Sequence, residues 1–475
     1  MMGMGALYHN NGNGTFTDIT ASAGIPMVMM QSGAIFGDID NDGRPDLLIL
    51  TNPMLDTAPP VLLKNTSDAS GVHFMDISAS AGIVVGPSQN LIGATFGDYD
   101  NDGLVDLYIT AHVDCNGLNA NDHLFHNNGN DTFTDVSYLL GGAGNPALSR
   151  RGLVTVFFDY NNDGRVDLYV GNDRGETYGG NVLWRNDGPD GIGGWTFTDV
   201  SSATGAGKAI SDMGIAIGDF NRDGIFELFL TNVGSNLLLQ LKNGIYNQVQ
   251  WEKNARVARA SVPSYTAPGM TNAITWGTGF YDFNNDGWED LYEAGGNIHR
   301  GTYWSALFLN NQDGGFLDVS PMTGALGFMP DMQSMMSMPT AVFSDFNNDG
   351  FIDILQAGMM GEPLLFINNA RSNGNPYNWV QVKLTGRCQS PTGCSGTYSN
   401  RDAIGARIVA MVGGANLSRQ VIDGATYQGN NTLVQHFGLG SATQIDSLTV
   451  YWPSGKTTVL NNVAANQKIA ITEPQ

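Results

Sequence analysis

The chain has 475 residues, 62 of them Gly, only 14% charged, and a formal net charge of −23. That length exceeds one ordinary core unless the chain is a repeat array or a propeller, and so much Gly with so little charge excludes long surface helices. No basic cluster meets phosphates, which excludes nucleic acid as a partner, and no apolar run of about 18 residues offers a helical membrane span.

Met1 to Gly5 lacks the basic region and apolar core of a signal peptide, so we expect either a removed leader or a fragment. Leu7 to Gly12 and Thr15 to Ile19 read as two short strands around a polar turn. Then comes the first of six copies of one nine-residue loop. Asp38, Asp40 and Asp42 occupy positions one, three and five, Gly43 is at six, and Asp46 closes at nine. The second copy is Asp98, Asp100, Asp102, Gly103 and Asp106; the third is Asp159, Asn161, Asp163, Gly164 and Asp167. The fourth is Asp219, Asn221, Asp223, Gly224 and Glu227; the fifth is Asp282, Asn284, Asp286, Gly287 and Asp290. The sixth is Asp345, Asn347, Asp349, Gly350 and Asp353.

Alternating oxygens, a Gly where the backbone turns sharply, and a closing carboxylate are what a hard cation such as Ca²⁺ requires. The first half matches the EF-hand pattern, but no Glu follows at position twelve and the flanks read as strands, not helices. We therefore expect six Ca²⁺ sites, each completed by a position-seven carbonyl, from Arg44, Leu104, Arg165, Ile225, Trp288 and Phe351 in turn. Loops one and two, with four carboxylates each, should bind tightest. The loops hold 20 of the 45 acidic residues, so ligand chemistry explains much of the charge. Polar hairpin turns without metal are the alternative, but a turn needs no third carboxylate and no acidic closing residue.

The first Asp residues fall at 38, 98, 159, 219, 282 and 345, a period of 60 to 63 residues. In the second repeat, Ile92 to Gly97 enters the loop and Leu107 to Thr110 leaves it. Leu124 to Gly129 and Thr132 to Val136 follow as third and fourth strands. Four short antiparallel strands per repeat make a propeller blade, so the fold class is all-β. The third-strand pattern occurs seven times against six loops, because Leu7 to Asn11 precedes any loop. This predicts seven blade positions with one incomplete; a closed six-blade ring is the alternative. An incomplete blade exposes a strand edge, and Leu7 to Asn11 has no Lys or Pro to blunt it. A neighbouring copy adding a strand there would build a homo-oligomer or filament.

The propeller is expected over 1–375 and a small β-sandwich-like domain over 376–475. Asn378 to Leu384, Ala403 to Val412, Leu433 to Gly440 and Ile445 to Tyr451 read as its strands. Cys388 and Cys394 flank a short loop and can pair, whereas Cys115 has no evident mate. Asn13, Asn65, Asn130, Asn416 and Asn430 head glycosylation sequons.

The lead-ins Phe36-Gly37-Asp38 and Phe96-Gly97-Asp98 resemble FG-GAP/VCBS propeller repeats. Asn400 to Arg407, His436 to Gly440 and Trp452-Pro453-Ser454-Gly455 resemble the ASPIC/UnbV domain. The pair is similar to the cartilage acidic protein-like family. The resemblance implies a secreted, extracellular or cell-surface protein with calcium-binding and adhesion-type roles, and brings no catalytic residue. Consistently, no Gly-x-Ser-x-Gly elbow, His-Glu-x-x-His or Walker loop is present. The alternative is a polysaccharide-active enzyme with its site in the central depression of the propeller. Two further groups stand out. His112, Asp114, Cys115, His123 and His126, with His299, suggest a transition-metal site. Met1, Met2, Met27, Met29, Met30, Met329, Met332, Met335, Met336, Met338, Met359 and Met360 suggest an adaptable binding face for a protein or glycan ligand.

Overall fold

The computed structural model describes residues 5–26, 31–51, 59–86, 89–114, 116–141, 145–192, 194–250, 252–255, 274–295, 305–323, 340–358 and 363–475. The methionine clusters, Cys115 and His299 lie outside the described residues. Five blades have four antiparallel strands in sequence order. In blade two these are Gln89–Gly97, Asp106–Asp114, His123–Gly129 and Thr132–Asp135. Blade six has three, Thr340–Ser344, Asp353–Ala357 and Leu364–Phe366, and a seventh position holds two, Tyr8–Asn10 and Phe16–Asp18. First strands of successive blades face one another and line the axis.

The register of every metal-type hairpin is the same. Its position-nine acid pairs with the residue before its first Asp, as in Gly37 with Asp46, Gly97 with Asp106 and Ser344 with Asp353. The third-strand Asn then locks blade to blade. Asn127 Nδ2 donates to the Ile39 carbonyl of the preceding loop, Asn186 to Tyr99, Asn310 to Phe220 and Asn368 to Phe283. Asn10 makes the same bond to the Phe346 carbonyl at 2.9 Å, and Phe16 meets the Phe346 ring edge-on. The N-terminal strand pair is therefore the outer half of a seventh blade, seated between blades six and one. The ring has seven positions.

Short turns after the outer strands were not legible as elements. In blades one, two, three and five, an Asp two residues ahead of a Ser accepts its N–H, as Asp135 does from Ser137, and the Ser hydroxyl accepts a third-strand N–H. The side chain thus ties the outer connection back to the blade.

The C-terminal residues form two facing sheets. One orders Gln435–Gly440, Asn378–Thr385 and Gln467–Thr472, the last pair parallel; the other orders Ala415–Gln420, Arg407–Val412, Gln444–Tyr451 and Thr457–Ala464. The strand expected from Ala403 begins only at Arg407. Asn400 caps a tight turn there by accepting the Ile404 N–H, and Ala403 is left-handed, because 400–406 serves the hairpin face instead. One core runs through both domains: Ile39 and Val105 of the loops share it with Val380, Ile404, Ile408 and Trp452. Cys388 and Cys394 are paired.

Candidate metal centres on the hairpin face

All six loops close the same way. Position four is left-handed, with φ of 55 to 62° at Asn41, Asn101, Asn162, Arg222, Asn285 and Asn348. Asn tolerates that region better than most residues, which explains five of the six. The glycine at six has φ of 83 to 92°, where a Cβ is strained. Its N–H donates to the position-one carboxylate in every loop, at 2.6 to 3.1 Å. The position-seven N–H donates to the position-five oxygen throughout, as in Leu104 to Asp102 and Phe351 to Asp349. The position-nine acid is held at both oxygens in loops one to three, five and six. It accepts the position-two N–H and the N–H of the third-strand Asn, as Asp106 does from Tyr99 and Asn127.

Position four also links four of the loops each to the next. Asn41 Nδ2 donates to the Gly103 carbonyl, Asn162 to Gly224, Asn285 to Gly350, and Arg222 Nε to Gly287. Sequence reading assigned this position no role. Its consistent Asn was the available signal.

The charge at these loops is concentrated and poorly screened. Oxygens of Asp38, Asp40 and Asp42, and of Asp98, Asp100 and Asp106, converge within 4.8 Å. Asp98 Oδ1, Asp219 Oδ1 and Glu227 Oε2 are buried without a hydrogen-bond partner. Burial first, then neighbouring carboxylates, pushes Asp38 up to about 8 and Asp98 and Glu227 well above the usual range. Burial likewise raises Asp46 to about 7 and Asp106 and Asp282 to about 8. An isolated buried carboxylate is costly, so such a group protonates or finds a cation. The donors are all oxygens, as a hard cation prefers. In loops three to six, Asn replaces Asp at position three. Its amide donates to the position-five carboxylate, as Asn161 does to Asp163, and so relieves repulsion without a cation.

Loops one and two carry cationic neighbours that the sequence did not disclose. Lys64 Nζ lies 2.7 Å from Asp40 and Arg44 bridges Asp42. His126 Nδ1 lies 3.1 Å from Asp106 and 3.4 Å from Asp100. These partners oppose the expectation that four carboxylates alone make loops one and two the tightest. His112 and His123 do not come together as a site: each has its own carboxylate, Asp173 and Asp135.

The C-terminal domain covers this face. Asp402 accepts the Asp38 N–H, and the Arg401 N–H donates to Asn41. Asn400 Nδ2 approaches Asp98, Gln420 accepts the Asp159 N–H, and Gln381 donates to Asp345. His436 bonds Asn285, and Gly438 leaves no room for a Cβ above Asp282, 1.9 Å away. Beyond these contacts, residues 423–428 enter the axis of the propeller. Asp423 accepts the Phe96 N–H, and its carbonyl accepts the Thr95 hydroxyl. Ala425 bonds Thr155 and Ile215, Thr426 donates to Ala341, and Gln428 accepts from Ala34. Tyr427 meets Trp276 of blade five, ring centroids 4.7 Å apart. First strands of all six hairpin-bearing blades are thus engaged. On the hairpin side the central depression is filled by this chain's own backbone.

Comparison with known proteins agrees with this architecture. The FG-GAP-like repeat model matches residues 2–49, 98–170, 159–230 and 282–355, and the ASPIC and UnbV model matches 396–475. Cartilage acidic protein 1 of Homo sapiens is 26% identical over 65% of this chain and 41% of its own length. The Xenopus tropicalis protein of that name is 27% identical over 62% and 40%. The chain therefore spans about two fifths of these relatives. A six-bladed propeller lectin from Aleuria aurantia aligns with TM-score 0.33 and 9% identity over 70% of this chain and 95% of its own. A family-43 glycoside hydrolase aligns at 0.30 and 10% over 72% and 90%. With blades, loops and C-terminal domain all in place, the chain belongs to the FG-GAP-like repeat family, as a propeller that carries an ASPIC and UnbV domain and is related to cartilage acidic protein.

Proposed function

We propose that the six hairpin loops hold Ca²⁺ and that the cation fastens the C-terminal domain onto the propeller, in an extracellular adhesion or surface-assembly protein. The observation that carries this reading is the set of buried carboxylates with unpaired oxygens, lying where the two domains meet. A bound cation would neutralise them; the chain's own part is to hold the oxygens apart from water and in register. Glycine N–H groups position the first acid, third-strand Asn residues position the last, and Asn400, Asp402 and Gln420 tie the loops to the upper domain. Such a domain joint is rigid in millimolar calcium and loose without it, a property suited to a matrix or surface setting. The relationship to cartilage acidic protein supports that setting. A polysaccharide-active site would need another entrance, because 423–428 fill the axis from the hairpin side. Calorimetric titration of chelated protein tests the reading. We expect about six Ca²⁺ per chain and protection of the 400–402 and 423–428 backbone from proteolysis on loading. Heat-neutral titration with unchanged cleavage would overturn it. A panel of glycans and matrix proteins, probed with and without Ca²⁺, then tests adhesion.

A further inference from the structure

The loop positions themselves offer oxygen only, but in one blade a neighbouring strand adds a nitrogen. Strand register defines the same place in all six blades. The residue after the closing acid pairs with a third-strand residue, as Leu47 with Leu63 and Leu107 with Phe125. The next residue along that third strand stands beside the loop. It is Lys64, His126, Arg185, Gln240, Leu309 or Ile367 in blades one to six. The chemistry at this place follows position three of the loop. In loops three to six position three is Asn, whose amide already donates to the position-five acid. There the third strand lends the loop no cation: Arg185 turns to Asp187 at 2.6 Å, and Gln240, Leu309 and Ile367 carry no charge.

In loops one and two position three is Asp, and a cationic side chain stands over it. Lys64 Nζ lies 2.7 Å from Asp40 and 2.7 Å from Asp131. An ammonium only donates, so it neutralises loop one without joining a metal's ligands. His126 differs, because a neutral imidazole nitrogen carries a lone pair. Its Nδ1 is turned to the loop, 3.1 Å from Asp106 and 3.4 Å from Asp100. Ligand atoms of Asp100, Asp102 and His126 lie within 4.8 Å of one another, as do those of Asp98, Asp100 and Asp106. Asp98 is 2% exposed, and its Oδ1 has no hydrogen-bond partner. Tyr99, at position two, meets the imidazole edge-on with ring centroids 6.1 Å apart, which sets the ring's orientation. The Asp100 and His126 side chains stay partly exposed, so an ion can enter from solvent.

We propose that loop two is a mixed nitrogen and oxygen site that selects a divalent transition-metal ion of the Zn²⁺ class over Ca²⁺. Calcium takes oxygens, whereas zinc binds imidazole nitrogen and carboxylate oxygen together. The ion draws its ligands from Asp98, Asp100, Asp102, Asp106 and His126 Nδ1, the last in exchange for a proton. The other five loops keep their all-oxygen sets. His126 thus parts from His112 and His123, its neighbours in sequence, whose rings are held by Asp173 and Asp135. The proposal rests on the reading that these loops hold cations and departs from it in the identity of one.

The probe is Zn²⁺ itself, added to the full chain in millimolar Ca²⁺. We expect one Zn²⁺ to enter per chain as one Ca²⁺ leaves, read as metal content after gel filtration. Zinc X-ray absorption of the unaltered chain should show an imidazole nitrogen among oxygens. His126→Gln should weaken zinc binding by about tenfold or more and leave Tm in calcium unchanged. His112→Gln and His123→Gln should leave zinc binding as it is. Zinc uptake that His126→Gln does not weaken overturns the proposal. So does an all-oxygen zinc shell in the unaltered chain, entry without release of calcium, or no entry at all. In each of those cases calcium still binds at about six per chain and the calcium reading stands; a chain that takes up neither ion overturns both.

Discussion

Loops two and three share a motif and differ in what lies above them. Asp98 and Asp106 of loop two are fully enclosed, and the Cys388–Cys394 loop lies on top. The Asp102 carbonyl accepts the Cys394 N–H at 2.6 Å, and Gly103 faces Cys388 Sγ and the Tyr398 carbonyl so closely that a Cβ would crowd both. In loop three, 161–164 are exposed and Gly164 faces open space. Arg165 instead folds over Asp163 at 2.6 Å, a screened pair. The lesson is that the nine-residue pattern sets which oxygens converge, whereas the cover sets how costly it is to leave those carboxylates unpaired. A carboxylate in water tolerates solitude; one under a domain does not.

The largest effect should come from removing calcium altogether. Binding only to the folded state stabilises by about 2.7 kcal/mol per site at a hundredfold excess over Kd. A chelator at pH 7.5 should therefore lower Tm by roughly 10 °C or more; an unchanged melting curve would break the comparison at its root. The pH dependence sharpens it. Folded Asp38, Asp46, Asp106 and Asp282 are raised to about 7 to 8 by burial. Without calcium, their contribution is fully present below the unfolded value near 4 and is lost as pH rises through 7 to 8. Chelated protein should lose stability from pH 5 to 8, and the gain in Tm on adding Ca²⁺ should grow over the same range.

Next in size is the contrast between single acids. Asp98→Ala in calcium should cost about 3 kcal/mol, since it vacates a covered site, against about 1 kcal/mol for Asp163→Ala in the open loop. In chelator the order should invert, with Asp98→Ala gaining stability by removing a buried carboxyl whose Oδ1 has no partner. Equal costs in denaturant titrations of both variants would show that cover is irrelevant.

The double variant Cys388→Ser/Cys394→Ser opens a short ring and should cost about 2 kcal/mol. It should weaken calcium at loop two most, because the disulfide contacts no other loop glycine, and less at loop one, where Asn41 donates to the Ser390 carbonyl. Stepwise calorimetry reads this directly, and a loss spread evenly over all sites would argue against a local cover. Smallest of all is Arg165→Ala. An exposed pair contributes within about 0.5 kcal/mol, so stability should barely move. The freed Asp163 should bind calcium a few fold more tightly.

The six acidic loops, the period and the propeller class were legible because each rests on residues close in sequence. Blade two shows this: its strands lie within a few residues of the positions predicted from alternation and turn chemistry. The C-terminal strands were legible where they alternate, as in Asn378–Thr385. Ala415–Gln420 and Thr457–Ala464 were missed because their burial alternates unevenly, and Gln467–Thr472, which does alternate, because its partner Asn378–Thr385 lies far away in the chain. Lys64 on Asp40 and His126 on Asp106 were also hidden, being brought across from a third strand by blade register.

By itself, then, the sequence determined which oxygens each hairpin offers and how many hairpins there are, since ligand spacing and strand period are local properties of the backbone. Only the tertiary structure decided that Asn400, Asp402 and Gln420 roof those hairpins and that Asp423 to Gln428 close the axis. These outcomes join residues up to several hundred positions apart, and such contacts arise from packing two domains and a ring of blades together, which no local pattern encodes.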